Sequence, residues 1–446
     1  IYGNWPQWFM FDRYEEQKAS ESHGDIIVWP LKVVTDYLEQ TADYSILATE
    51  IPYTSRKDNH KTKETASLFE HLKKEINYIE QHFLPETFLS CYGDGDWDDT
   101  LQPYDNRLKE QMASSWTVAL TYQVLKKFAA LITEIDATYS QHLAILVAGI
   151  KNDFQKYMLA DETIPGFIYM ETPETFEQMI HPNDQKTGIQ YRLLPMTRSM
   201  LAELLTPEQV SHHLEIIEKE LTFPDGVRLM NKPANYRGGV STNFKRAEQA
   251  ANFGREIGLQ YVHAHIRYTE AMAKIGQRDK TWQALMQINP VQLKEVVHNA
   301  ELRQANAYFS SSDGDFKTRY ESQENFGKLK DGSIGVKGGW RIYSSGPGIY
   351  LNQLITAVLG IRQKAQSVVF DPMLPEKLSG LTLTYQLFDK PVTYKFYPNQ
   401  SAKIVIDGQE VPFKFEENPY REGGMEVQKD EVLSLLNEAS VIEIYH

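Results

Sequence analysis

The sequence MASSWTVALTYQVLKKF, residues 112–128, repeats a large apolar side chain every four positions. The repeat runs through Met112, Trp116, Leu120, Val124 and Phe128. Because an α-helix turns once in about 3.6 residues, these side chains lie along one helix face. The stretch therefore predicts a long helix that packs this face against a protein core.

Similar apolar stripes occur on both sides of this stretch, and one of them is followed by Gly276, a residue typical of helix ends. Many amphipathic helices without alternating strands predict a mainly α domain, which we place at residues 1–363. The pattern does not distinguish a closed ring of helices from a solenoid. The additional predicted helices cover residues 68–83, 143–158, 255–274 and 349–359.

After residue 363 the pattern changes to short apolar alternations that are typical of strands. Asp407-Gly408 lies between two of these segments and is a strong signal for a tight hairpin turn. Residues 364–446 are therefore predicted to form a small C-terminal β-sandwich, in which we find no chemistry-bearing motif. The predicted strands are residues 367–370, 381–385, 392–397, 403–406 and 441–444.

The composition argues against several classes of protein. The 446 residues include 46 Lys and Arg against 60 Asp and Glu, a net charge of -14, so nucleic acid is not an expected partner. No run of 18 apolar residues occurs, and we expect no membrane association of this chain. The first residues contain neither an initiator Met nor a signal-peptide pattern, which predicts that the chain is a fragment of a longer protein.

The single cysteine, Cys91, rules out an intrachain disulfide and a cysteine-cluster metal site. A reducing, cytoplasmic compartment is the expectation that follows. Cys91 precedes the acidic loop described next, but a lone cysteine is more often a small buried apolar residue than a nucleophile.

Four carboxylates surround two glycines and a tryptophan in Gly93-Asp94-Gly95-Asp96-Trp97-Asp98-Asp99-Thr100. Because Asp and Gly favour turns, a solvated acidic turn is one interpretation. Asp94, Asp96 and Asp98 also alternate as in a calcium loop, although Asp99 occupies the position where such a loop needs glycine. In a third interpretation Trp97 stacks on a sugar ring and one carboxylic acid protonates a glycosidic oxygen.

Gly95-Asp96-Trp97-Asp98-Asp99 resembles the G-D-W-N-D signature of inverting phosphorylases of glycoside hydrolase family 94, the cellobiose and chitobiose phosphorylase family. The general acid of that family is the last Asp of the signature, which is Asp99 here, and Asp98 replaces the Asn. The similarity is greatest to the branch that acts on β-1,2-glucans, which contains 1,2-β-oligoglucan phosphorylase and the C-terminal region of cyclic β-1,2-glucan synthase. Further similar blocks cover residues 8–14, 22–25, 236–240, 253–258, 261–265 and 339–348.

The resemblance implies an (α/α)6 barrel with the active site at one mouth. It also implies an N-terminal β-sandwich and a linker in the parent protein, to which nothing in this chain corresponds. The implied partners are a β-glucan oligosaccharide and inorganic phosphate, and a homodimer is one assembly to be tested. We find no P-loop, no G-x-G-x-x-G, no H-E-x-x-H and no nucleophile-elbow serine, and we predict neither a cofactor nor a metal.

Residues of two further segments are candidates for substrate contacts. On the helix predicted over residues 255–274, Glu256 and His263 are seven residues apart and share a face, which a structural polar contact would also explain. The family has a Glu near the donor sugar and a His on phosphate at this spacing. The small-residue turn before a helix predicted to begin near Ile349 offers N–H groups to an anion, or simply caps that helix. Ser345 and Gly346 occupy the places of the family's phosphate-binding Thr-Gly pair.

The resemblance further assigns Asp25 to hydroxyls of the donor sugar, Arg13 to phosphate and Trp97 to the scissile sugar. Arg13 is equally explained as a member of an interhelix ion pair. An inverting hydrolase needs two carboxylates, whereas a phosphorylase needs only the acid because phosphate is itself an anionic nucleophile. We therefore predict inverting phosphorolysis of β-1,2-glucan to α-glucose 1-phosphate. The alternatives are the phosphorylase-like region of a cyclic glucan synthase and a catalytically silent carbohydrate-binding barrel.

Overall fold

The computed structural model describes residues 3–10, 12–14, 17–55, 57–58, 60–302, 309–339 and 345–446. Contacts between residues divide the chain into two compact units. The first unit comprises Ile1–Leu204, Leu229–Leu259 and Phe316–Phe326, and the second comprises Leu205–Arg228, Gln260–Asp315 and Gly327–His446. Among the described helices, none combines the length and the apolar composition that crossing a membrane requires.

Helices predominate as far as residue 358. The α-helices are α1 (Val28–Thr41), α2 (Leu68–Gln81), α3 (Asn106–Gln111), α4 (Ser115–Leu131), α5 (Ala137–Asp153), α6 (Leu193–Leu201), α7 (Pro207–Ile216), α8 (Lys245–Gln249), α9 (Arg255–Gly258), α10 (Val262–Lys274), α11 (Arg278–Ile288), α12 (Leu293–Val296), α13 (Arg319–Asn325), α14 (Ser345–Gln353) and α15 (Lys429–Leu435). Short 3-10 turns lie at Asp12–Tyr14, Tyr44–Ala48, Asp99–Leu101, Phe326–Leu329 and Glu376–Leu378. π-Helical segments lie at Phe154–Met158, Ile217–Leu221 and Leu354–Val358.

Strands are short and scattered before residue 360 and dense after it. They are β1 (Glu50–Thr54), β2 (Lys61–Ser67), β3 (Met112–Ser114), β4 (Phe167–Thr172), β5 (Thr175–Met179), β6 (Thr222–Phe223), β7 (Gly226–Val227), β8 (Gln260–Tyr261), β9 (Ser311–Gly314), β10 (Val336–Gly338), β11 (Ile361–Gln363), β12 (Ser367–Phe370), β13 (Leu381–Leu387), β14 (Lys390–Tyr397), β15 (Lys403–Ile406), β16 (Gln409–Val411), β17 (Lys414–Phe415), β18 (Met425–Gln428) and β19 (Ser440–Tyr445). In the described part they form the sheets β1-β2, β3-β4-β5, β6-β7, β10-β9-β8, β11-β12-β18-β17 and β13-β14-β19-β15-β16.

Helix α4 is the central element of the first unit and packs against α1, α5 and α6. The side chains of the predicted stripe from Trp116 to Phe128 are buried, which confirms the sequence pattern. Met112, predicted to open this helix, instead lies in β3, where it pairs with Tyr169 of β4. The helix begins only at Ser115 because the preceding Ser114 caps it, its side chain accepting from the backbone N–H of Thr117.

The prediction of a single helix over residues 255–274 is wrong. Helix α9 ends at Gly258 because Leu259 adopts the left-handed conformation, with φ of 70°. Strand β8 follows and pairs with β9, and α10 starts after it. Glu256 and His263 therefore lie on different helices, and the argument from a shared helix face fails.

The helix predicted near Ile349 begins four residues earlier, at Ser345. Ser345 and Gly346 are therefore part of its first turn rather than of a turn before it. The helix continues into the π-helical segment Leu354–Val358, and Gly360 follows with φ of 67°. The backbone N–H groups of a first helical turn have no acceptor within the helix, so this position retains its suitability for an anion.

The last 86 residues form a β-rich region with two packed sheets. Phe370 of β12, Phe396 of β14 and Ile444 of β19 share one apolar core, so the four-stranded and five-stranded sheets bury their faces together. All five predicted strands are present. Asp407 and Gly408, with φ of 48° and 86°, form the predicted tight turn between β15 and β16.

Candidate active site

The acidic loop of the first unit rests on a buried ion pair. Nη2 of Arg192 donates to both carboxylate oxygens of Asp96 at 3.0 Å. Oγ of Ser114 donates to Oδ2 of Asp96 at 2.7 Å. Because the side chains of Asp96 and Arg192 are fully buried, the interpretation of the loop as a solvated acidic turn is wrong.

The side chain of Asp98 caps the 3-10 turn Asp99–Leu101. Its Oδ1 accepts from the backbone N–H of Thr100 at 3.3 Å and from the Thr100 hydroxyl, and its Oδ2 lies 3.7 Å from Nη2 of Arg192. Only 1% of the residue is exposed, and burial raises the pKa of its carboxyl. The side chain of Asp98 is thus engaged within the loop and inaccessible to a ligand.

Asp99 has a different environment from its neighbour. Its side chain is 26% exposed, and its Oδ1 accepts from Nε2 of Gln7 at 3.2 Å. The same oxygen lies 3.9 Å from Nδ1 of His23, and Oδ2 accepts from Nη1 of Arg246 at 3.5 Å. Of the two adjacent carboxylates, Asp99 is the one that a substrate can reach.

The segment before α1 lies directly against the acidic loop. The backbone N–H of Gly24 donates to the carbonyl of Gly95 at 2.9 Å, and His23 forms an isolated bridge with Gly93. A Cβ atom at position 24 would lie 2.6 Å from the carbonyl oxygen of Tyr92, so only glycine permits this approach. The contact places His23 beside Asp99.

Asp25 follows in the same segment and is buried. Its Oδ2 accepts from Nε1 of Trp29 at 2.9 Å, whereas its buried Oδ1 has no hydrogen-bond partner within the described part of the chain. Burial, reinforced by the neighbouring Asp96, raises the pKa of Asp25 to about 7. Because an unpaired buried oxygen is costly, a ligand hydroxyl at this position would be favourable.

Glu256 joins the cluster around Asp99 through Arg246. Nη1 of Arg246 lies 3.8 Å from Oε1 of Glu256, whose side chain is almost completely buried. Helices α8 and α9 both pack against the 3-10 turn Asp99–Leu101. The structure therefore brings Asp99 and Glu256 to one arginine, while the half-buried Trp97 lies in the loop itself.

Three of the predicted phosphate-binding residues, His263, Ser345 and Gly346, lie in the second unit. His263 is the second residue of α10, half-buried and edge-to-face with Tyr261 at 5.4 Å. Burial, with a smaller effect of Arg267, lowers its pKa to about 4. Helices α10 and α14 pack together, with Val262 and Ile349 in a shared cluster. Gly346 is buried in the first turn of α14, and the side chain of Ser345 lies outside the described residues.

Arg13 is exposed in the 3-10 turn Asp12–Tyr14, with its guanidinium 4.7 Å from the ring centre of Tyr14. Among the described residues, no hydrogen bond or ion pair connects it to the cluster around Asp99. Residues 340–344, which belong to the last block of the family resemblance, lie outside the described residues.

The carboxylates that suggested a calcium loop have separate partners. Asp94 pairs with Lys109, and Asp96 pairs with Arg192. Within the described ranges, no three His, Cys, Asp or Glu side chains form a group suited to a metal ion. Burial raises the pKa of Cys91, which disfavours the thiolate that a nucleophile requires.

Sequence reasoning missed four residues that position the site. Arg192 and Arg246 come from segments without a motif, and their roles depend on contacts with residues 96 and 147 positions away in the chain. His23 was part of a matching block, but no role was assigned to it. Gln7 immediately precedes another block, and this proximity was the only available signal.

Comparison with known families identifies the family of the chain. The model of the "Glycosyl hydrolase 94 superfamily, catalytic domain" matches residues 10–317. The chain belongs to this family. A second family model, "Glycoside phosphorylase C-terminal domain", matches residues 360–445 and thus the β-rich region. The family resemblance inferred from the acidic loop is confirmed.

This glycosyl hydrolase 94 chain is similar in sequence to several curated proteins. It is 52% identical over 440 residues to 1,2-beta-oligoglucan phosphorylase of Listeria innocua, an alignment that covers 98% of this chain and 40% of the relative. It is 22% identical over 386 residues to cyclic beta-(1,2)-glucan synthase NdvB of Rhizobium meliloti, covering 80% and 12%. Solabiose phosphorylase of Paenibacillus borealis is 24% identical over 213 residues, covering 47% and 26%. The chain spans less than half the length of each of these relatives.

Proposed function

We propose that the protein containing this chain catalyses the inverting phosphorolysis of β-1,2-linked gluco-oligosaccharides and releases α-glucose 1-phosphate. The observation that carries this proposal is the contrast within the acidic loop, where Asp99 is accessible and Asp96 and Asp98 are buried and engaged. The name of the 52% identical relative supports the choice of substrate. Membership of the family supports the choice of reaction.

In the proposed reaction Asp99, as a carboxylic acid, donates its proton to the glycosidic oxygen that leaves with the shortened glucan. A phosphate oxygen attacks the anomeric carbon from the opposite face as the bond to the leaving oxygen breaks. One displacement inverts the β-linkage to the α-phosphate. No second carboxylate is needed because the nucleophile is already an anion.

The donor glucose would be held by Asp25, Glu256 and Trp97. The unpaired Oδ1 of Asp25 is placed to accept from a sugar hydroxyl. Glu256 is kept near Asp99 by the guanidinium of Arg246. Trp97 offers a ring on which the apolar face of a pyranose can stack.

Phosphate would be bound by His263, Ser345 and Gly346, with Arg13 included on the resemblance alone. A pKa near 4 leaves His263 neutral at pH 7, so one ring nitrogen can donate an N–H and no charge is buried before phosphate arrives. The first-turn N–H groups of Ser345 and Gly346 point out of α14, where the helix dipole favours an anion.

The finer architecture also belongs to this proposal. We propose an (α/α)6 barrel over residues 1–363 and a β-sandwich over residues 364–446, supported by the prevalence of helices before residue 360 and by the second family match from residue 360. Preceding N-terminal domains, a homodimer and a cytoplasmic location remain predictions.

A second candidate is the phosphorylase-like region of a cyclic β-1,2-glucan synthase, favoured by a match over 80% of the chain but at only 22% identity. A catalytically silent carbohydrate-binding barrel is disfavoured by the accessible carboxylic acid at Asp99.

The test uses the complete protein with sophoro-oligosaccharides and phosphate, and follows the products by NMR. We expect α-glucose 1-phosphate, and the reverse reaction should lengthen β-1,2 chains. Cello-oligosaccharides and a reaction without phosphate are the controls. Formation of the β-anomer, release of free glucose without phosphate, or faster turnover of cello-oligosaccharides would overturn the proposal.

A further inference from the structure

A pocket of about 240 Å³ lies in the first unit, outside the cluster around Asp99. It is bounded by the start of α3, by the β4–β5 hairpin and by residues 242–243. We propose that this pocket is a distal subsite for the glucan chain, several sugar residues from the scissile bond. The inference rests on the proposed function, because it identifies a further binding site for the same substrate.

The lining of the pocket matches the two-sided chemistry of a pyranose. Leu108 and Met179 are buried and form an apolar floor, and Tyr169 contributes an aromatic wall. The C–H faces of a sugar ring pack on such surfaces, while its hydroxyls need hydrogen-bonding groups around the rim. The rim consists of Asp105, Arg107, Glu171, Glu177, Lys186, Thr242 and Asn243.

The charges of the rim favour a neutral polyol over an anion. Arg107 pairs with Asp105 at 3.2 Å, and Lys186 pairs with Glu177. Both cations are thus already neutralised, and Glu171 adds a further carboxylate that accepts from the Tyr169 hydroxyl at 3.4 Å. Phosphate would meet net negative charge here, whereas sugar hydroxyls can donate to the carboxylates.

The pocket and the cluster around Asp99 are built on the same two chain segments. Pro103 and Phe244 form an antiparallel bridge, flanked by hydrogen bonds from Tyr104 N–H to the Asn243 carbonyl and from Lys245 N–H to the Gln102 carbonyl. Asn243 is three residues from Arg246, so their Cα atoms are at most about 11 Å apart. A glucan of a few sugar residues is long enough to span this separation.

The decisive experiment measures kcat/KM of the complete protein for sophoro-oligosaccharides of three to eight residues. In the wild type, kcat/KM should rise with chain length until the pocket is filled. The double variant Glu171→Gln with Asn243→Ala should lose roughly five- to tenfold in kcat/KM on the long substrates and less than twofold on the shortest one. Glu174→Gln, an exposed acidic residue in the turn of the same hairpin, is the matched control and should retain the wild-type profile.

The outcomes separate this inference from the proposed function. If the wild type shows no phosphorolysis at all, the proposed function fails. If the wild type is active and the double variant keeps the wild-type length dependence, the distal subsite alone is overturned. Hydrogen–deuterium exchange provides a second readout, in which an eight-residue glucan should protect residues 167–179 and the control trisaccharide should not. Equal exchange with both glucans would also overturn the subsite.

Discussion

Nη1 of Arg246 lies 3.5 Å from Oδ2 of Asp99 and 3.8 Å from Oε1 of Glu256. One guanidinium therefore connects the accessible carboxylate of the acidic loop with the carboxylate on α9. The hydrogen bond from Lys245 N–H to the Gln102 carbonyl, at 2.9 Å, fixes the segment from which Arg246 extends. The arrangement holds Asp99 in a defined orientation before a substrate binds.

Replacing Asp99 by Asn should remove the proton donor and lower kcat by about 100-fold or more. The melting temperature should hardly change, because the Asp99 side chain is partly exposed and contributes no buried ion pair. The measurement is steady-state phosphorolysis together with thermal unfolding.

Asp98→Asn is the matched control for that variant. An asparagine Oδ1 can still accept from the Thr100 backbone and hydroxyl, so the turn should persist and kcat should fall by less than about tenfold. A severe loss in Asp98→Asn with a mild one in Asp99→Asn would show that the adjacent carboxylate is the acid.

Local sequence patterns predicted much of this fold, because the features they indicate depend only on residues that are close together in the sequence. The stripe in α4 and the turn at Asp407-Gly408 are of this kind. The break at Leu259 was not predictable from periodicity, since it arises where β8 pairs with β9, a strand about 50 residues later in the chain. Tertiary pairing overrode helical propensity there.

The candidate site likewise contains residues that a local motif predicts and residues that depend on tertiary contacts. Asp99 was predicted as the general acid from a contiguous signature, and this role stays a prediction. Arg192 and Arg246 were not predicted, because an arginine becomes a partner of a carboxylate only when the fold brings them together. Asp98 and Asp99 differ in burial and in contacts, and two adjacent identical residues do not reveal such a difference in sequence.

The pair between Arg192 and Asp96 should be important for stability. Arg192→Leu leaves the Asp96 carboxylate buried without a cation, and this should cost about 3–5 kcal/mol of unfolding free energy. Denaturant unfolding followed by fluorescence measures the loss. The double variant Arg192→Leu with Asp96→Leu should recover part of it, because the Asp96 carboxylate is then no longer buried without a cation. A single variant as stable as the wild type would contradict the role assigned to the pair.

Glu75 should make stability depend on pH between about pH 4.5 and pH 8. Nε1 of Trp5 donates to its Oε1 at 2.6 Å, and burial raises its pKa from the ordinary 4.5 to about 8. Since the folded state holds this proton more tightly than the unfolded state, the stabilisation is complete below pH 4.5 and is lost as the pH rises through 8. The slope is at most about 1.4 kcal/mol per pH unit.

Glu75→Gln keeps an acceptor for Trp5 and removes the titration, so its melting temperature relative to the wild type should increase from pH 5 to pH 9. Glu70→Gln, an exposed change on the same helix, should shift the melting temperature equally at all pH values. Parallel curves for Glu75→Gln and the wild type would refute the assignment.

His263 should determine the affinity for phosphate and not the affinity for glucan. His263→Ala removes a proposed donor to an anion, so the KM for phosphate should rise about 10–100-fold while the KM for glucan stays within about twofold. His142→Ala, an exposed histidine paired with Glu80, is the control and should change neither constant.

Because burial lowers the pKa of His263 to about 4, the unfolded state binds a proton at higher pH than the folded state. The contribution of the neutral His263 side chain to stability is present above about pH 6.5 and is lost as the pH falls toward 4. Lowering the pH should therefore destabilise His263→Ala less than it destabilises the wild type. Equal increases in both KM values would argue that this histidine is structural and that phosphate binds elsewhere. Unchanged acid sensitivity would contradict the lowered pKa of His263.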